Sequence, residues 1–118
     1  NNLSVAARII HKNRAFLFTG DIDAKKEELI FRANPDLRAD VLKIAHHGSK
    51  YSANEEFTAG SAVAAAVVSC GKNNRYGHPH PETLDLLEKY DIKTLRTDED
   101  GNIVFRTDGE RIFLRTEK

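Results

Sequence analysis

Two adjacent histidines, His46 and His47, close the run Asp40-Val41-Leu42-Lys43-Ile44-Ala45-His46-His47-Gly48-Ser49. Paired imidazoles at the end of an apolar run, just before a glycine turn, are a costly core filling but a natural way to present metal ligands. Thr19-Gly20-Asp21 ends an earlier apolar run, and Tyr76-Gly77-His78-Pro79 follows a later one. Strand ends thus deliver a carboxylate or an imidazole three times. Oxygen and imidazole donors together suit zinc, manganese or iron, and a carboxylate can bridge two ions. Asp21, His46, His47 and His78 are therefore the candidate metal-binding and catalytic residues, a set that suits two-metal hydrolysis.

Each member also has a plainer alternative. Asp21 after Gly20 fits ordinary turn chemistry. His46 and His47 fit one core histidine beside a solvent-facing neighbour, and His78 before Pro79 fits a stiff loop position. His11, in the charged turn His11-Lys12-Asn13-Arg14, reads as exposed, and His80 reads as part of the first turn of a following helix. The stretch Lys72-Asn73-Asn74-Arg75 is a solvated loop on its own. Beside a metal site its cations and amides could hold a phosphate. Ser49 lacks the Gly-x-Ser-x-Gly context of a hydrolase nucleophile, and Cys70, in an apolar run, reads as a small buried hydrophobe.

The elements that must position these groups follow from hydrophobic patterning. Residues 5–10 and 15–19 predict two strands of a hairpin. Asp23 is a natural N-cap for a helix that Asn34-Pro35 stops. Residues 41–45 predict a buried strand, residues 54–59 one or two helical turns, and residues 61–69 a second buried strand. Pro81 opens a helix reaching Tyr90. Residues 93–96, 103–107 and 111–115 predict three more strands, separated by Asp100-Gly101 and Asp108-Gly109 turns. This alternation predicts one layered α/β domain over residues 1–118, without repeats or linkers.

Composition narrows the classes. Eighteen basic and eighteen acidic residues cancel over 118 residues, which excludes a broad basic footprint and makes any nucleic-acid contact local. A single cysteine excludes an intrachain disulfide framework. No run approaches the roughly 20 apolar residues of a membrane span. The start at Asn1 runs almost directly into a strand pattern, from which a segment of a longer polypeptide is expected.

Five blocks in order carry a resemblance: Ser4-Val5; Phe16-Leu17-Phe18-Thr19-Gly20-Asp21; residues 40–49; Ser69-Cys70-Gly71 through Tyr76-Gly77-His78-Pro79; and Arg96-Thr97-Asp98-Glu99-Asp100-Gly101. Together they resemble the metallo-β-lactamase-like domain of the ComEC family of DNA-internalisation competence proteins. The resemblance implies an αββα sandwich holding up to two divalent ions, zinc or manganese, that hydrolyses a phosphodiester. Asp21 would bridge the ions, with His78 and one or both of His46 and His47 completing the site. Ser49, Lys72, Asn73, Arg75 and Tyr76 would contact substrate or support the ligands.

The leading His-x-His-x-Asp-His type of cluster is absent, so the resemblance covers the C-terminal half of such a domain. Implied partners are DNA in single-stranded form, the missing N-terminal half, and the transmembrane part of a bacterial inner-membrane protein. The soluble domain would sit on its extracytoplasmic side. Self-association through the uncovered sheet is expected of the segment, and bound metal and activity are expected of the intact domain; whether the segment alone has either is left open. The alternatives are a small-molecule metallo-hydrolase on the same fold and a metal-free domain binding DNA or a partner.

Overall fold

The computed structural model describes residues 4–118. The expectation drawn from Asn1 onward falls in part on residues 1–3, outside the described residues. Strands β1 (Ala7–His11) and β2 (Arg14–Phe18) form the predicted antiparallel hairpin, with His11 opposite Arg14. Helix α1 (Ala24–Ala33) starts where Asp23 accepts a 2.8 Å hydrogen bond from the Lys26 N–H, and ends where the Asn34 amide donates to the Ile30 carbonyl. Strand β3 (Val41–Lys43) runs into two 3-10 turns, Ala45–Gly48 and Lys50–Ser52. Helix α2 (Glu55–Gly60) is capped by the Asn54 side chain, which accepts from the Phe57 N–H. Strand β4 (Ala65–Val68), helix α3 (Pro81–Lys89), strand β5 (Lys93–Arg96), the single turn α4 (Thr97–Asp100) and the hairpin β6 (Asn102–Thr107) with β7 (Ile112–Glu117) complete the chain.

The main sheet is five-stranded in the order β1-β2-β3-β4-β5, with β1 antiparallel and the other pairs parallel. Neighbouring parallel strands taken in sequence order, each joined by a right-handed helical crossover, bring every crossover onto one face. Accordingly Phe57 of α2 and Leu87 of α3 share a single buried cluster with Leu17, Leu42, Ala66 and Val68 from the sheet. Gly60 lets α2 approach α1 closely, since a Cβ there would lie about 2.1 Å from the Phe31 ring. The opposite sheet face meets the β6–β7 hairpin through an edge-on contact of Phe16 with Phe105, leaving an apolar cleft of about 360 Å³ that Ile9, Phe18 and Val67 also line.

The layered α/β class is as predicted; several details are not. The strand expected at 61–69 is only Ala65–Val68, because α2 continues to Gly60 and the chain then turns at Ala62, with φ +54°. The strand expected at 41–45 stops at Lys43. Thr97–Asp100, between the strand expected at 93–96 and the next, wind into the helical turn α4, for which no element was expected. Cys70 lies past the end of β4 and is half-buried, so it is not the buried core residue that its apolar run suggested. His46 and His47 are both exposed, so neither is the buried core histidine that one alternative required.

Candidate functional site

Parallel strands end on the same edge of a sheet, and the loops leaving that edge are where open α/β sheets place ligand groups. Here the edge gathers the loops after β2, β3 and β4. The His46 N–H donates to the Gly20 carbonyl at 2.9 Å, tying the turn after β3 to the residue before Asp21. The Asp21 N–H donates to the Ser4 hydroxyl at 3.1 Å. Asp21 lies near enough to Lys43 to oppose the burial that pushes the Lys43 ammonium below its ordinary pKa.

The turn itself is strained. His46, His47 and Gly48 occupy left-handed backbone in succession, with φ of 50°, 56° and 85°. Non-glycine residues held there cost of order 1–3 kcal/mol each, and such positions concentrate at functional sites. Gly48 makes the turn possible, because a Cβ at that position would stand 2.6 Å from the Pro79 Cβ. Its carbonyl accepts from the His80 N–H at 3.0 Å and from the Thr83 hydroxyl at 2.9 Å. The histidine turn is thereby locked against the 71–80 loop and the start of α3.

That lock brings four imidazoles together. Ring centroids lie 6.4 Å apart for His46 and His47, 5.9 Å for His46 and His78, 6.2 Å for His47 and His78, and 4.9 Å for His78 and His80. Tyr76 stacks on His78 at 5.5 Å. Burial, reinforced by the nearby His80, His46 and His47 rings, holds His78 below the usual imidazole pKa.

Hydrogen bonds sort the roles of these rings. His47 Nδ1 lies 2.7 Å from the Ser69 carbonyl oxygen, which can only accept, so Nδ1 carries the proton and Nε2 keeps its lone pair for a ligand. His80 has both nitrogens engaged: Nδ1 accepts from the Lys50 N–H at 3.0 Å, and Nε2 donates to the Tyr76 carbonyl at 3.0 Å. His80 is therefore a strut between two loops.

The 71–80 loop is held from inside by Asn74. Its amide nitrogen donates to the Gly71 and His78 carbonyls, and its oxygen accepts from the His78 N–H. Thr97 fixes the loop's start, its hydroxyl pairing with both the N–H and the carbonyl of Cys70 at 2.9 Å. A small, largely apolar cleft of about 200 Å³ opens beside the rings, lined by His47, Cys70, Gly71, Asn74, Tyr76 and His78.

Of the other sequence candidates, Lys72, Asn73, Arg75 and Tyr76 are exposed on this loop. Ser49 is buried, and its hydroxyl accepts from the Tyr51 N–H, so it shapes the turn from within. His11 is exposed at the end of β1 and takes no part in the ring cluster. Sequence reasoning gave Asn74 only a place in a solvated loop whose amides could hold a phosphate, passed over Tyr51, and gave His80 only a place in the helix start. A signal for Asn74 was available in its position four residues before His78, a spacing at which an amide can close a loop on itself.

By donor chemistry, imidazoles with an aspartate suit a first-row divalent ion. By arrangement, no group of three or more His, Cys, Asp or Glu residues among the described residues is placed to hold one. A resident ion would thus need further ligands beyond those brought together here.

The chain is 42% identical over 106 residues to ComE operon protein 3 of Bacillus subtilis (strain 168), an alignment covering 90% of this chain and 14% of that protein. It is 36% identical over 106 residues to competence protein ComA of Neisseria gonorrhoeae, covering 89% and 15%. It is 29% identical over 103 residues to recombination protein 2 of Haemophilus influenzae, covering 87% and 13%. The chain spans about one seventh of the length of the curated relatives it matches. No family model matches it, and no solved structure matches it. These relatives do not bear out the expected assignment to the C-terminal part of a ComEC metallo-β-lactamase-like domain: they are named as a ComE operon protein, a competence protein and a recombination protein, and none is named for a metal-dependent hydrolase. Among the described residues no helix is long and apolar enough to cross a membrane.

Proposed function

We propose that this chain acts in DNA uptake, where it contributes Asp21 and the histidine rim of a divalent-metal-dependent site that hydrolyses a phosphodiester of DNA. One observation carries the proposal: His46, His47 and His78 converge at the ends of parallel strands, with His47 Nε2 left available for a ligand. Similarity to a protein named for competence supports the DNA-uptake context. The remaining ligands would come from other parts of the polypeptide, as would a second sheet layer over the apolar face bearing Ile9 and Phe18, the αββα arrangement expected from sequence.

A zinc or manganese ion, when bound, would supply an activated water near neutral pH and polarise the phosphate. Asp21 and His47 would hold it, with His46 and His78 completing or flanking the set. The depressed pKa of His78 keeps its imidazole neutral at neutral pH, as a ligand or a proton acceptor must be. Lys72 and Arg75 would hold phosphate oxygens, and Asn73 would donate to them. That basic loop favours a phosphate ester over an uncharged small-molecule substrate.

The test is DNA cleavage by the full-length protein with manganese or zinc, against the same reaction in EDTA. Loss of cleavage in Asp21→Ala supports the assignment; undiminished cleavage refutes it. A second reading is favoured by the unclosed ligand set: a metal-free domain that binds DNA. Tight DNA binding without bound metal or cleavage would select it.

A further inference from the structure

Helix α1 turns a carboxyl toward the core. Glu27 precedes Ile30 and Phe31, which pack against the buried cluster, by the three and four residues that put side chains on one helix face, and it is itself 3% exposed. A carboxyl so placed calls for a partner or stays neutral. No ion pair joins Glu27 to Lys26 or to any other cation among the described residues. On the elements around it, Arg32 pairs with Glu28 and Glu56, Lys50 lies 3.9 Å from Glu82, and Glu55 takes Lys89 and Tyr90. The Asp23 carboxylate, one turn earlier, opposes ionisation as burial does, and the pKa of Glu27 is raised to about 8.

This carboxyl holds one end of a strap. Its Oε1 accepts from the Asn54 N–H at 2.9 Å. Asn54 in turn starts α2: its side chain accepts from the Phe57 N–H, and its carbonyl accepts from the Thr58 N–H and hydroxyl. Backwards from Asn54, the Ser52 N–H donates to the Ser49 carbonyl, the Ser49 N–H to the His46 carbonyl, and the Lys50 N–H to His80 Nδ1. Residues 49–54 therefore run from the histidine turn to Glu27. Lys50 and Tyr51 face water, while the buried Ser52 hydroxyl has no hydrogen-bond partner among the described residues. Water would satisfy that hydroxyl if the strap lifted, so this segment is poised to open locally.

We propose that a proton on Glu27 latches this strap: its loss drives the carboxylate from beneath Asn54 into water, lifts residues 49–54 and withdraws the Lys50 N–H from His80. The device stands apart from the reaction proposed above and needs no metal. The closed form keeps its proton up to about pH 8, whereas the released carboxyl gives it up near 4.5. Opening therefore grows with pH between those values and levels off above them. Protonating His80 Nδ1 would break the Lys50 bond as pH falls, which is the opposite sign.

The experiment is amide hydrogen exchange of the full chain by NMR, expressed as protection factors so that the intrinsic pH dependence of exchange is removed. From about pH 5.5 to about pH 7.5, protection of the Ser52 and Asn54 amides in the wild type should fall roughly 70-fold, close to the tenfold per unit that one released proton allows. It should stay below that of the Ile44 amide, which the Val67 carbonyl holds within the sheet. Glu27→Gln keeps the acceptor and cannot ionise, so its strap protection should be flat across the same range. Flat protection in the wild type, an equal slope in Glu27→Gln, or a slope confined to amides that exchange only by global unfolding overturns the latch. So does a Glu27 carboxyl ¹³C shift that titrates near 4.5 in the wild type, a reading that depends on no variant.

Discussion

His47 and Ser69 are joined across adjacent parallel strand ends by a 2.7 Å contact between the imidazole Nδ1 and a backbone carbonyl oxygen. This pair decides which nitrogen of His47 can meet a ligand. By contrast, His80 must carry its proton on Nε2, since its Nδ1 accepts from the Lys50 N–H. Two-bond ¹H–¹⁵N correlation spectra at neutral pH should show opposite neutral tautomers, Nδ1–H for His47 and Nε2–H for His80. The same tautomer in both would contradict the division into ligand and strut.

Gly48 is the point where the histidine turn meets the 71–80 loop. Gly48→Ala places a methyl group against Pro79 in backbone that disfavours any side chain. Both effects oppose folding, and a loss of at least about 1–3 kcal/mol is expected, read as a lowered Tm. A Tm within a degree of wild type would show that the turn relaxes without the contact.

Asn74 closes its loop through three hydrogen bonds, two of them to the backbone of His78. Asn74→Ala should leave global stability lowered by about 1–3 kcal/mol and weaken amide protection at His78 in hydrogen exchange. Unchanged protection there would mean that the loop is held by other contacts.

Glu27 gives a pH dependence far from the histidines. The carboxyl is buried and accepts from the Asn54 N–H, and desolvation raises its pKa to about 8 against that hydrogen bond. The unfolded chain releases this proton near 4.5 and the folded chain near 8, so the folded state binds more protons between those values. Its contribution is fully present below pH 4.5 and is lost as pH rises through 8. Glu27→Gln, neutral throughout, should match wild type near pH 5 and exceed its Tm above pH 8. Parallel Tm profiles across that window would place the Glu27 pKa near its ordinary value.

Much of this architecture can be read locally. The turn after His11, the Asp23 cap and the Pro81 start each depend on residues within one turn of themselves, and each forms where expected. The paired histidines and the Gly-Asp aspartate are visible for the same reason. What eludes local reading is long-range: His80 is a strut only because Lys50, thirty residues earlier, points its N–H at it. Likewise Cys70 sits in an apolar run yet lies beyond the end of β4, held there by Thr97 from twenty-seven residues away. The tandem left-handed backbone at His46 and His47 is also illegible, since long-range contacts hold it: the His46 N–H on the Gly20 carbonyl, the His47 ring on the Ser69 carbonyl, and Gly48 against Pro79.

The central claim is that Asp21 and His47 serve a metal-dependent reaction on DNA. The most direct measurement is cleavage of single-stranded DNA by the full-length protein with manganese or zinc, comparing wild type with Asp21→Ala and His47→Ala and metal content determined alongside. We predict cleavage that EDTA abolishes, and losses above about 100-fold in both variants, beyond the ~10–100-fold typical of residues that only support a ligand. A protein that binds no metal and cleaves no DNA, or one whose cleavage survives both substitutions, would contradict the account.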